Sequence, residues 1–404
     1  MISRLRTFTQ GYPRQFWFLF WGMLISTSGT SMIWPFLTIF LRQRLGLPIA
    51  TIGTMLAINS IMGLASSSIA GPITDRLGRK GVMVLSLCTS AFSYLTISHS
   101  SSLPVIAALL ALNGAANPLY RIGADAMVAD IIPPEHRVEA YSILRMINNA
   151  GVAIGPSIGG FIAVASYTNT FIGGAVALTV YALLISFFTR ETLPQRAKDE
   201  SAPREKMGGY ETVLKDVPFL LFCANFTLTA LGSTLIFQLL SVYTKENFGI
   251  PESQYGFIMA TNAIMVVLFQ YMVTGVTKRY PPFRVLSIGA FFYAIGIGSI
   301  ALMHTFWGFL VSMVIATTGE LITVPTATTL TARLAPADMR GRYMSVYWLA
   351  SGAGSGVGSI IGGLLNDLIA PQAIWVGGMV FGLISAIGFL GQARHYRRTA
   401  AQQR

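Results

Sequence analysis

The chain is divided almost end to end into apolar runs of about 20 residues or more, each closed by a short cluster of charged or turn-forming residues. A helix of that length, rising about 1.5 Å per residue, crosses the ~30 Å hydrocarbon core of a bilayer. No water reaches the backbone in that layer, so each run must close its hydrogen bonds internally as an α-helix. The runs fall at 16–40, 49–73, 81–98, 104–128, 141–163 and 171–189, then at 217–243, 254–277, 284–303, 306–331, 343–365 and 373–392. They predict an all-α membrane protein of twelve transmembrane helices.

Composition agrees with that reading. Of 404 residues, only 11% are charged, against about 25% in a soluble domain, so too little polar surface remains to coat a separate water-soluble domain. Cys88 and Cys223 lie inside apolar runs, outside any CxxC or paired-histidine pattern, and read as packing residues rather than metal ligands.

A formal charge of +12 would suggest nucleic acid in a soluble chain. With the N-terminus placed inside, 23 of the 28 Lys and Arg residues fall on cytoplasmic segments. Arg42, Arg44 and Lys245 lie on the opposite side, and Arg121 and Arg145 fall within runs. The positive-inside rule therefore places both termini in the cytoplasm and accounts for the basic balance with no nucleic-acid partner. The basic stretch 1–14 precedes a long apolar run without a small-residue cleavage site, so it reads as part of a retained first span. A multi-pass protein of the cytoplasmic (inner) membrane is expected.

Shifting the sequence by 203 residues lays the stretch from Ala129 onto the stretch from Ala332. Pro133 meets Pro336, Arg137 meets Arg340, Gly151 meets Gly354, Gly155 meets Gly358, and Gly159 and Gly160 meet Gly362 and Gly363. Two parallel, pseudo-symmetric six-helix bundles are the simplest explanation, and alternating-access carriers are built that way. The expected division is an N-terminal bundle at 1–189, a cytoplasmic linker at 190–216 and a C-terminal bundle at 217–404. The linker is rich in mixed charge with Pro and Gly.

Between the second and third runs, Gly71, Asp75, Arg76, Gly78, Arg79 and Lys80 form a Gly, Asp-Arg, Gly, Arg-Lys pattern. It resembles the signature loop of the major facilitator superfamily, with Pro72 departing from the small aliphatic residue usual beside the first glycine. A short turn there would present Asp75 to helix N-termini and to arginine, closing one face of a carrier. Positive-inside charge alone would ask for the bases but not for Gly71, Asp75 and Gly78 together. In the fifth run, Gly151, Gly155, Pro156, Gly159 and Gly160 resemble the family's antiporter signature. Glycines four apart leave a groove for a close helix neighbour, and Pro156 permits a bend. The groove serves either an exporter's special geometry or ordinary close packing.

Ionisable residues inside a membrane are costly and mark function by default. Glu320 lies mid-way along the tenth run with no base within a turn, and the 203-residue shift sets it on Asn117, so the acid belongs to one half only. With Gly319 and Pro325 it resembles the tenth helix of the proton-driven multidrug exporters of lactic-acid bacteria, which implies drug selection and proton coupling for Glu320. On the fourth run Asn117, Arg121 and Asp125 share a face. An Arg121–Asp125 pair would be either a proton-linked switch or a structural ion pair. Asp130 stands where those exporters carry an acid, and Arg145 is the expected partner of Asp130 or Asp125, or else it snorkels to the headgroups.

No nucleophile elbow or phosphate-binding loop with Lys-Ser or Lys-Thr occurs, so no enzyme is expected. The resemblance implies a proton-coupled exporter of hydrophobic or cationic small molecules, working by alternating access. Its expected partners are the substrate, protons and membrane lipids, the proton being the coupling ion in place of any cofactor and the protein a monomer. A proton-coupled nutrient symporter and a lipid-linked sugar flippase are the alternatives on the same fold.

Overall fold

The computed structural model describes residues 12–193, 210–336 and 339–402. Most of the expected linker therefore lies outside the described residues. Twelve long helices occupy the twelve runs: α1 Arg14–Leu45, α2 Ile49–Leu77, α3 Arg79–His99, α4 Leu103–Ile131, α5 Arg137–Ala165, α6 Tyr167–Phe188, α7 Val217–Phe248, α8 Glu252–Thr277, α9 Pro282–Ser299, α10 Phe306–Leu334, α11 Arg340–Leu368 and α12 Ala373–Gln402. A short helix, Tyr210–Lys215, precedes α7. All twelve are long and apolar enough to cross a membrane.

The helices overrun the apolar runs at most ends, because a helix continues until its last carbonyls or first amides find another partner. Local chemistry then stops it. Gly249 ends α7 in the left-handed region with φ 65°, its N–H returning to Lys245, which is a position only glycine adopts without strain. Asp216 begins the same helix by accepting from the Phe219 N–H at 3.0 Å. Phe187, Tyr271 and Leu368 are exposed on the bare protein.

Two compact units emerge from the packing. One holds Met1–Trp34 and Ile61–Arg204; the other holds Pro35–Ser60 and Glu205–Arg404. The chain thus contributes the second part of α1 and the first part of α2 to the unit that contains α7 to α12.

Within each unit the glycine groove seats a neighbouring helix at equivalent positions. In the first, a Cβ at Gly155 would stand 2.6 Å from the Ser28 carbonyl of α1, and one at Gly159 would stand 2.6 Å from that of Met32. In the second, a Cβ at Gly358 would stand 2.9 Å from the Leu231 carbonyl of α7, while Gly362 abuts Leu235. Ser28 and Leu231, like Met32 and Leu235, are themselves 203 residues apart. Both sides of the contact carry the duplication, with backbone against backbone in each half.

The second unit also ties in α2. The Asp367 carboxylate at the end of α11 accepts from the backbone N–H groups of Ile49 at 3.2 Å and Ala50 at 2.7 Å, capping a helix that has no cap from its own preceding residue. Asp367→Ala is expected to cost about 1 kcal/mol, read as a fall of a few degrees in the thermal midpoint of the solubilised protein. An unchanged midpoint would show that water replaces the carboxylate at no cost.

Candidate functional site

Each unit holds a polar cluster of its own. In the second, Gly319 of α10 is pressed against α9, where an added Cβ would lie 2.6 Å from the Tyr293 nitrogen and 2.7 Å from the Gly289 carbonyl. That contact fixes the rotation of α10 and turns the next residue, Glu320, toward α8. Its Oε2 accepts from the Asn262 carboxamide at 2.7 Å. The same Nδ2 donates to the Thr317 hydroxyl at 3.0 Å. Asn262 is 7% exposed and Thr317 is 1% exposed. Glu320 makes no ion pair among the described residues, so its immediate partners are neutral. At the next residue, the Leu321 carbonyl accepts from Gln270 of α8 at 3.1 Å, which holds the two helices in register.

In the first unit, the expected loop between the second and third spans is almost entirely helix. α2 continues through Gly71, Asp75 and Arg76 to Leu77, and α3 begins at Arg79. Gly78 alone makes the turn, with φ 89°. The turn carries Arg79 rather than Asp75 into the interior. Arg79 is 9% exposed, and its guanidinium bridges Asp75 at 2.9 Å and Asp130 at 3.2 Å while donating to the Thr74 carbonyl at 3.3 Å. The Asp75 side chain is 66% exposed, so the pair with Asp130 is the more protected of the two.

The acids of α4 separate in role. Asp130 belongs to the Arg79 cluster, not to Arg145, which is exposed and forms no ion pair with Asp125 or Asp130 among the described residues. Arg121 and Asp125 share a helix face without closing to an ion pair. Along α5, Gly151, Gly155 and Gly159 line the α1 contact, and Pro156 lies inside the helix and is buried, as is Gly160.

Sequence reasoning overlooked Glu191 and Thr192, which follow α6. The Glu191 carboxylate accepts from the backbone N–H of Arg79 at 2.9 Å and of Lys80 at 3.1 Å. Thr192 donates its hydroxyl to Asp130 Oδ2 at 2.9 Å. Burial pushes the Glu191 carboxyl up, but the N–H groups of Leu193, Arg79, Thr192 and Lys80 together hold it below the usual range. A depressed carboxyl contributes stability above its unfolded pKa and loses it as pH falls through the folded value. This contact therefore persists across neutral pH and fails only in acid. The available signal was indirect: a helix opening on Gly and Arg has no capping side chain of its own.

The sequence profile of the Major Facilitator Superfamily matches residues 19–244 and again residues 222–404. A Na(+), Li(+), K(+)/H(+) antiporter of Planococcus maritimus is 26% identical over 89% of each chain. The multidrug resistance protein MdtH of Yersinia enterocolitica is 24% identical over 95% of this chain and 96% of the relative. Among solved structures, the nucleoside transporter NupG superposes with a TM-score of 0.82 over 94% of this chain and 100% of the other, at 13% identity. That last likeness concerns the fold alone.

Proposed function

Because the chain belongs to the Major Facilitator Superfamily, and is thus a multi-pass membrane transporter rather than an enzyme, we propose that it exports hydrophobic organic cations in exchange for protons. The observation that carries this reading is Glu320: a carboxylate half-way along α10 that accepts from the neutral Asn262 and forms no ion pair among the described residues. An acid so placed needs a positive charge, and a proton and a cationic cargo compete to supply it. Protonation from outside releases the cargo outward; deprotonation toward the cytoplasm resets the site. Asp125, which forms no ion pair among the described residues, is the second candidate for the proton's route. Asp130, engaged by Arg79 and Thr192, serves the gating segment instead.

Support also comes from the fifth-helix glycines, which resemble the antiporter signature, and from the relatives that are an antiporter and a multidrug resistance protein. The proposed location is the cytoplasmic membrane with both termini inside, a reading that the distribution of Lys and Arg supports. The test is proton flux in proteoliposomes, with ethidium and tetraphenylphosphonium as organic cations and a neutral nucleoside as control. Proton movement opposite to the organic cations is expected. Movement in the same direction as the nucleoside would instead establish a symporter.

One observation favours a second cargo. Thr317 and Glu320 place a hydroxyl and a carboxylate around the Asn262 carboxamide, whose half-turn would bring a third oxygen to the same point. Oxygens are the ligands that hard cations take, and the relative from Planococcus maritimus carries alkali cations. Proton flux driven by Na⁺ or Li⁺ alone, and lost in Asn262→Ala, would establish that cargo.

A further inference from the structure

The third span opens without a cap of its own. Gly78 offers no side-chain acceptor, so the first N–H groups of α3 would be orphaned at its positive end. Glu191 supplies what is missing, from the far end of α6. Its Oε1 takes the Arg79 N–H and its Oε2 takes the Lys80 N–H. The exchange is reciprocal: the Lys80 ammonium donates to the Ser186 carbonyl at 2.7 Å and the Thr189 carbonyl at 3.0 Å, both at the negative end of α6. A carboxylate thus crosses to one helix end while an ammonium crosses back to the other.

The glycine at the turn is required twice over. Its φ of 89° is strained for any side chain. A Cβ there would also stand 2.4 Å from Glu191 Oε2, in the space the carboxylate fills. Beside it, Thr192 and Arg79 converge on one atom, Asp130 Oδ2. The residues that leave α6 toward the linker are therefore bonded to the same cluster as the gating segment.

We infer that Glu191 is the positioning residue of the gating segment: by capping α3 it holds Arg79 on Asp130 and makes the turn, the end of α6 and the start of the linker move as one body. This goes beyond the transport reading and holds whatever the cargo is. It also gives Gly78 a specific role, as the gap through which an acid from another helix reaches the N-terminus.

Hydrogen–deuterium exchange on the full-length protein in nanodiscs tests it without any substrate. In Glu191→Ala, the amides of Arg79 and Lys80 are expected to exchange about tenfold faster, while amides of α9 keep their wild-type rates and report that the variant is folded. Glu191→Gln retains an acceptor oxygen but no charge, so its rates fall between the two. Gly78→Ala already expels the carboxylate, so adding Glu191→Ala to it produces no further acceleration. Wild-type rates at Arg79 and Lys80 in Glu191→Ala, a Gln variant equal to wild type, or additive effects in the double variant would each overturn the inference.

Discussion

Energised cells carrying Glu320→Gln are expected to lose gradient-driven efflux of ethidium to the level of cells lacking the protein. Glutamine matches the acid in size and keeps an oxygen that accepts from Asn262, 2.7 Å away in the wild type. The helix contact at Gly319 is untouched, so the variant is expected to insert and accumulate normally. What it loses is the carboxylate that the proposed exchange of a proton for a positive charge rests on. Glu320 is half-buried and forms no ion pair among the described residues, and its partner Asn262 carries no charge to replace it, so the loss is expected to be complete rather than graded. Asn262→Ala gives the milder companion: it removes one hydrogen bond to the carboxylate and is expected to slow efflux about tenfold, the equivalent of a charge-assisted bond of about 1.5 kcal/mol. Wild-type efflux from Glu320→Gln cells would end the proposed coupling role.

The second large effect is structural. Gly155→Val is expected to abolish accumulation of the protein in the membrane, since even a single Cβ would lie 2.6 Å from both the Ser28 carbonyl and the Ser31 Cβ. Those are mainly backbone positions of α1, and a packed pair of helices cannot yield there without sliding apart. Overpacking of well-fitted interiors costs roughly 1–3 kcal/mol when side chains can adjust, and here they cannot. Gly358→Val should behave alike, because the Leu231 carbonyl stands at the equivalent place on α7. Gly71→Ala is the contrasting case: nothing lies within 4 Å of its added Cβ, so the protein should accumulate as wild type. Immunoblots of membrane fractions separate the outcomes, and equal amounts of all three variants would refute the packing argument.

The helix count was legible because a bilayer admits so few alternatives. An apolar run of sufficient length has to be a helix, and twelve runs become twelve helices. Duplication was legible for a related reason: the glycines at Gly155 and Gly358 recur where close approach tolerates no other residue. Glu320 stood out because charge is so rare at mid-membrane. Helix ends were less legible. The segment from Gly71 to Lys80 looks like a loop by composition, yet only Gly78 leaves the helix, because the Glu191 cap and the Arg79 pairs let both helices continue.

Partner choice was not written in spacing at all. Arg145 and Asp130 looked like a pair along the chain, but the close packing of α3 with α4 brings Arg79 to Asp130 first. The sequence by itself determined the solvent this protein lives in, the number of its helices, their duplication and the presence of one isolated mid-membrane acid, since each follows from the cost of polar groups in hydrocarbon. The tertiary structure alone decided which groups meet: Asn262 with Glu320, Glu191 with the start of α3, Asp367 with the start of α2. Those meetings depend on helix rotation, and a glycine contact such as that of Gly319 with Gly289 sets rotation through the shape of both helices at once.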